Sequence, residues 1–112
     1  MTSTEEIVMR YWNSWRNEGE PDWASMRSTL ADELDMEPAP MSADAFVEMC
    51  RQGSPWTGVT MVDSLFADDR AALLYEGTNT ANGKLVRIGE IVTVVDGKVA
   101  KLRAAIPESA FG

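Results

Sequence analysis

The sequence predicts an α+β fold, in which three helices pack on the concave face of a cone-shaped, curved antiparallel (mixed) β-sheet. Three observations point there. Helical spacing of apolar residues dominates the first fifty or so positions. From residue 58 to residue 106, strand-like runs follow one another with no helical stretch between them. Two turn dipeptides, Asn82-Gly83 and Asp96-Gly97, divide that half into hairpins. Helices followed by a run of consecutive strands is the order expected of helices laid on one side of an antiparallel sheet.

Residues 4 to 18 read as the first helix. Thr4 can cap it, Glu5 and Glu6 suit the positive end of its dipole, and Gly19 follows it. Its apolar stripe is Ile7, Val8, Tyr11, Trp12 and Trp15, broad enough to require a large partner surface. Pro21 and Asp22 open a short second helix to about Leu30, with Trp23 and Met26 inward. Residues 31 to 40 start as an extended strand and are ended by Pro38 and Pro40. Ser42 caps a third helix stopped by Gly53, with Phe46, Met49 and Cys50 on its inner stripe. Cys50 has no histidine to activate it and reads as a small core hydrophobe. A strand from Gly58 to Phe66 and a turn at Asp68-Asp69 lead into the hairpins.

The first hairpin pairs 70–81 with 84–95. A two-residue type I′ turn at Asn82-Gly83 would set Ala81 opposite Lys84, and Tyr75 opposite Glu90. One face then carries Leu73, Tyr75, Gly77 and Asn79 on one arm, with Val86, Ile88, Glu90, Val92 and Val94 on the other. A glutamate amid that apolar face is the most informative residue of the chain. At the second turn, a three-residue loop, Val95-Asp96-Gly97, would put Ala100, Leu102, Ala104 and Ile106 on the Glu90 face. A two-residue loop would put Lys101 and Arg103 there, so the three-residue register is expected. Helix one over this face encloses a conical cavity bordered by Tyr11, Trp15, Met36, Tyr75, Ile88, Glu90 and Leu102. Val92 continues its wall, and Asn79 stands at its rim.

The totals restrict the function. A chain of 112 residues is expected to be a single domain throughout, able to bury roughly two-thirds of its unfolded surface. A net charge of −8 repels nucleic acid and anionic lipid, and neither is an expected partner. No stretch has the length of a membrane span and no leader precedes the first helix, so a cytoplasmic location is expected. One cysteine makes no internal disulfide. There is no histidine, which takes away the usual general base and the commonest zinc ligand. No cofactor or metal is expected, and acid–base work would fall to carboxylates and tyrosines.

Three stretches carry a resemblance. IVMRYWNSWRNEGEPDWASMRSTLADEL, SADAFVEMC and EIVTVVDGKVAKLRA resemble, in turn, the first two helices with their lead into a strand, the third helix, and the closing hairpin of the nuclear-transport-factor-2-like superfamily. The likeness is to its SnoaL-like polyketide cyclase and ketosteroid isomerase branch. It implies a conical pocket for a small apolar, steroid- or polyketide-like molecule, and a homodimer through the outer sheet face. That face would expose Leu74, Leu85, Ile91, Thr93 and Val95. Matched to the isomerase pattern, Arg10-Tyr11 falls at the tyrosine that donates to the oxyanion, and Glu90 at its acidic second donor. Glu37-Pro38 falls at the catalytic base, with Pro38 itself at the strict spacing. Limonene epoxide hydrolases place an Asp-Arg-Asp set where this chain has Asn79, Gly77 and Ala104, so that hydrolysis is not expected.

Two functions stay open on these residues. One is cofactor-free proton transfer of isomerase, cyclase or dehydratase type, with Glu90, Tyr11 and Glu37 as catalytic groups and Tyr75 as a further donor. Asp35 is the alternative to Glu37 as proton shuttle. The other is a non-catalytic ligand-binding or dimerisation module, in which Glu90 only ties Tyr75 across the strands, a pair worth roughly 0.2–1 kcal/mol.

Overall fold

A computed structural model describes residues 3–16, 21–53 and 56–107. Helix α1 spans Thr4–Arg16, α2 Trp23–Thr29 and α3 Ala43–Arg51. The strands are β1 Leu30–Asp35, β2 Met41–Ser42, β3 Trp56–Phe66, β4 Arg70–Asn79, β5 Leu85–Val95 and β6 Lys98–Ala105. They form one curved, unclosed sheet in the order β2-β1-β6-β5-β4-β3, with only β1 and β6 parallel. The Gly19 stop expected for α1 lies outside the described residues. No described helix is long and apolar enough to cross a membrane.

Local chemistry accounts for the helices. Asp22 caps α2 by accepting from the Ser25 N–H at 2.9 Å, and Ser42 caps α3 by accepting from Ala45 N–H at 3.2 Å. On α1 the expected stripe is the buried one: Ile7, Val8, Tyr11 and Trp12 are all shielded, and Trp15 is half-buried. The Trp12 ring meets Trp15 and Tyr75 edge-on, at centroid distances of 5.0 and 4.7 Å. Those contacts seat α1 on β4. Met26 and Leu34 complete the core beneath α2 and β1.

Burial alternates along β4 and β5 as period-two spacing requires. Ala71, Leu73, Tyr75, Gly77 and Asn79 point in from β4, and Val86, Ile88, Glu90, Val92 and Val94 from β5. Both hairpins differ in detail from expectation. The first closes between Asn79 and Lys84 rather than around Asn82-Gly83, so Leu73 stands opposite Glu90 and Tyr75 opposite Ile88. Asn79 Oδ1 accepts from Ala81 N–H and Asn82 Oδ1 from Lys84 N–H, and these bonds support a four-residue loop. The register moves by two, an even number, so the inward face keeps its residues.

The second hairpin uses the two-residue turn, with Asp96 at φ 51° and Gly97 at φ 76°, both in the left-handed region that type I′ requires. Unmodified, that turn would bring Lys101 and Arg103 to the Glu90 face. A bulge prevents it. Val94 pairs with Val99 but Thr93 with Lys101, leaving Ala100 as the extra residue. Leu102 and Ala104 return to the inward register, and Arg103 goes to the other face, opposite Ile91. The expected positions of Leu102 and Ala104 hold, through a bulge rather than a three-residue loop. Ala100 is not on that register.

Gly77 owes its place to β3. A Cβ there would lie 3.1 Å from Trp56 Cβ and 3.3 Å from Val59 Cγ2, closer than a neighbour easily allows. The two-residue β2, pairing Leu34 with Met41 and Glu33 with Ser42, was not expected, being too short to show a period.

Candidate functional site

A cavity of about 470 Å³ lies between the three helices and the sheet. Tyr11 and Trp15 from α1, Trp23 and Met26 from α2, and Phe46, Met49 and Cys50 from α3 form its helical side. The sheet side is Trp56, Tyr75, Glu90, Leu102 and Ala104, and Met36, Glu37, Gly53 and Ile106 complete the lining. Among the described residues, no Lys or Arg lines it. Met49 and Ile106 are 48% and 39% exposed, which places the mouth on their side together with exposed Glu37.

Glu90 is the polar centre. Its residue is 7% exposed, and its two carboxyl oxygens face two phenols. Tyr11 OH donates to Oε1 and Tyr75 OH to Oε2, each at 3.1 Å. The Tyr75 bond spans a diagonal of the strand pair, since Leu73 is the residue directly opposite. Burial pushes the Glu90 carboxyl above its ordinary value of 4.5, and the bonds from Tyr75 and Tyr11 offset part of that rise. Burial and the nearby Glu90 also push both phenols well above the ordinary tyrosine value of 10.0. Cys50 on the same wall is pushed up to about 11, mainly by burial, and stays a thiol.

Proton counting shows what this cluster presents. With Glu90 ionised, both phenolic protons are committed to the carboxylate and the cluster offers a ligand acceptors only. With Glu90 neutral, three protons serve two internal bonds, and one remains to be donated. Trp15 adds another donor. Its Nε1–H is shielded from solvent and bonds to no described group.

The other carboxylates sit differently. Asp35, at the end of β1, is exposed and paired with Arg103 on the outer side of β6, at 2.8 Å. The hydrogen bond from Arg103 holds its carboxyl below the usual 3.8. Arg103 also reaches Glu37 at 3.3 Å and donates to the Asp35 carbonyl at 2.8 Å. One guanidinium thus clamps the β1 end and the cavity mouth.

Of the residues singled out in the sequence, Tyr11, Trp15, Met36, Glu37, Tyr75, Glu90 and Leu102 line the one cavity. Ile88 and Val92 do not line it; at 1% and 0% exposure they are core beneath it. Asn79 does not line it either: it is buried, not at a rim, and organises its own turn. Asp35 lies outside the lining. Sequence reasoning missed Arg103 as a clamp, because the contact joins positions 68 residues apart. It also missed that the inner stripe of α3 borders the cavity, although Phe46, Met49 and Cys50 were legible as inward.

No protein-family model and no curated protein sequence matches this chain. Solved structures do. A SnoaL-like polyketide cyclase from Agrobacterium tumefaciens superposes with a TM-score of 0.76 at 12% identity, over 99% of this chain and 96% of that one. A candidate ketosteroid isomerase from Kribbella flavida gives 0.76 at 17% identity, over 91% of this chain and 76% of that one. An NTF2-like protein from Burkholderia thailandensis gives 0.71 at 23% identity, over 100% and 99%. The chain has the nuclear-transport-factor-2-like fold, in the form that SnoaL-like cyclases and ketosteroid-isomerase-like proteins share.

Proposed function

We propose that the chain binds a small apolar, steroid- or polyketide-like molecule in the cavity beneath α1 and acts on it by cofactor-free proton transfer. One observation carries this reading: a buried carboxyl whose two oxygens are each met by a phenol, with no cation among the described residues of the cavity wall. In the neutral form, Glu90 and its tyrosines donate a proton-bearing bond to a ligand carbonyl oxygen. Charge developing on that oxygen, as in an enolate, strengthens the bond in a site where water competes poorly. In this reading Glu37, on the lining at the mouth, accepts the proton from carbon. Isomerisation, ring closure and dehydration all use these steps.

A second reading is a binding module without catalysis. It is favoured by the Glu37–Arg103 ion pair, which engages the carboxylate at the mouth and leaves Glu90 as the one buried carboxyl among the described lining residues. In either reading the outer sheet face belongs to a homodimer. Leu65, Leu85, Val95 and Ile91 are 72%, 69%, 53% and 47% exposed there, an apolar surface a second copy would cover. A monomer in sedimentation at micromolar concentration would sink that assignment. A cytoplasmic setting suits the free Cys50 thiol.

The deciding experiment is a carbon-detected NMR titration of Glu90, with Glu90→Gln to assign the signal. A midpoint well above 4.5 supports the donor cluster and justifies screening apolar ketones for exchange of their α-protons. A midpoint at the ordinary value overturns it.

A further inference from the structure

Trp15 holds a donor with no acceptor. Its Nε1–H is buried, and among the described residues nothing accepts from it. An indole nitrogen can only donate, and folded proteins rarely leave such a group unpaired. Packing sets the ring's place. It stands edge-on to Trp12 at 5.0 Å and to Tyr75 at 6.1 Å between centroids, and Trp12 is fully buried. The same side chain lines the cavity that holds the Glu90 cluster.

The remaining wall restricts what could satisfy it. The Glu90 carboxyl and the two phenols already bond one another. With no Lys or Arg among the described lining residues, and with a net charge of −8, an anionic ligand group finds no counter-ion there. Among the described residues no acceptor is left for the indole N–H, and the ligand group that suits it is an uncharged oxygen.

We infer that Trp15 Nε1–H is a second polar anchor of the cavity. The ligand is an uncharged apolar ring skeleton with two oxygen acceptors, one at the Glu90 cluster and one at Trp15, such as a diketone or hydroxyketone. This rests on the proposed binding at Glu90 and adds the second contact. A cavity of about 470 Å³ lies within the roughly 300–1,000 Å³ that small-molecule sites occupy, room enough for a fused-ring skeleton.

The test uses nitrogen-labelled protein, whose four tryptophans give four indole signals, with Trp15→Phe removing one. The probes are 2-decalone and the decalindiones that carry a second carbonyl on the other ring. At least one dione should bind about fivefold to tenfold more tightly than the monoketone, the gain of one buried hydrogen bond. It should move the Trp15 indole proton downfield, and Trp15→Phe should bring the ratio of dione to monoketone affinity back to about one. Because the indole shift is read on the unmutated protein, a poorly folded variant does not blunt the test. If monoketone and diones bind alike and the indole proton stays put, the second anchor is wrong while binding at Glu90 stands. If none of them binds or shifts the Glu90 and tyrosine signals, the proposed function fails and this inference falls with it.

Discussion

Two sets of carboxylates flank the β5–β6 strand pair, one buried on its inner face and one held by Arg103 from the outer side round to the cavity mouth, and their chemistry is opposite. Glu90 pairs with Ala104 across β5 and β6, and the next residue, Arg103, turns outward to Asp35 and Glu37. Inside, burial drives the carboxyl toward its neutral form, and phenols rather than a cation share its oxygens. Outside, the half-buried Arg103 guanidinium holds the exposed Asp35 carboxyl below its usual value. The same functional group becomes a proton donor or a fixed charge according to what surrounds it. The face a residue occupies decides which, and on β6 the Ala100 bulge sets that face.

The largest effect should come from emptying the inner cluster of its acceptor. Glu90→Leu leaves two buried phenols without a partner, and urea unfolding should show a loss of about 2–6 kcal/mol, from about 1–3 kcal/mol for each stranded hydroxyl. A variant as stable as the parent would show that the phenols find other acceptors.

Next in size is the pH dependence, where the clusters should slope in opposite directions. The raised Glu90 value means that the folded chain keeps a proton the unfolded chain releases. Its contribution is full below 4.5 and is lost as pH rises toward and through the folded value, at up to about 1.4 kcal/mol per pH unit. Glu90→Gln should remove that decline. Asp35 works the other way: its contribution is present above 3.8 and is lost as pH falls through its lowered folded value.

Tyr11→Phe and Tyr75→Phe should each cost about 0.5–1.5 kcal/mol, the net worth of one hydrogen bond. Each should also raise the Glu90 midpoint further, because a bond that favours the charged form is gone. A fall in the midpoint would contradict burial as the dominant cause. The smallest effect is expected from Arg103→Met, since surface ion pairs contribute little. It should abolish the acid-side slope from Asp35 without moving the Glu90 midpoint, and a large shift of Glu90 would show that the two clusters communicate.

Much of the site was legible in one dimension because period-two and period-3.6 spacings report faces directly. Glu90, Tyr75 and Tyr11 could be read as inward from their neighbours alone. The contact between Tyr11 and Glu90 joins residues 79 apart and could be expected only from the stacking of helix on sheet. Turn chemistry was less legible. Asn82-Gly83 and Asp96-Gly97 look equivalent, yet the first sits at the end of a four-residue loop and the second is a tight I′ turn. What separates them is the side-chain bonding of Asn79 and Asn82, which local composition does not display.

By itself, the sequence determined the α+β order, the buried stripe of α1, the inward face of β4 and β5, and the absence of histidine chemistry. These follow from spacing and composition, which every residue carries with it. Only the tertiary structure decided that Trp15 Nε1–H meets no acceptor among the described residues, that Arg103 clamps Asp35 and Glu37, and that a bulge rather than a longer loop restores Leu102. Those depend on distances between segments far apart in the chain, and such distances exist only once the sheet has curved and the helices have closed over it.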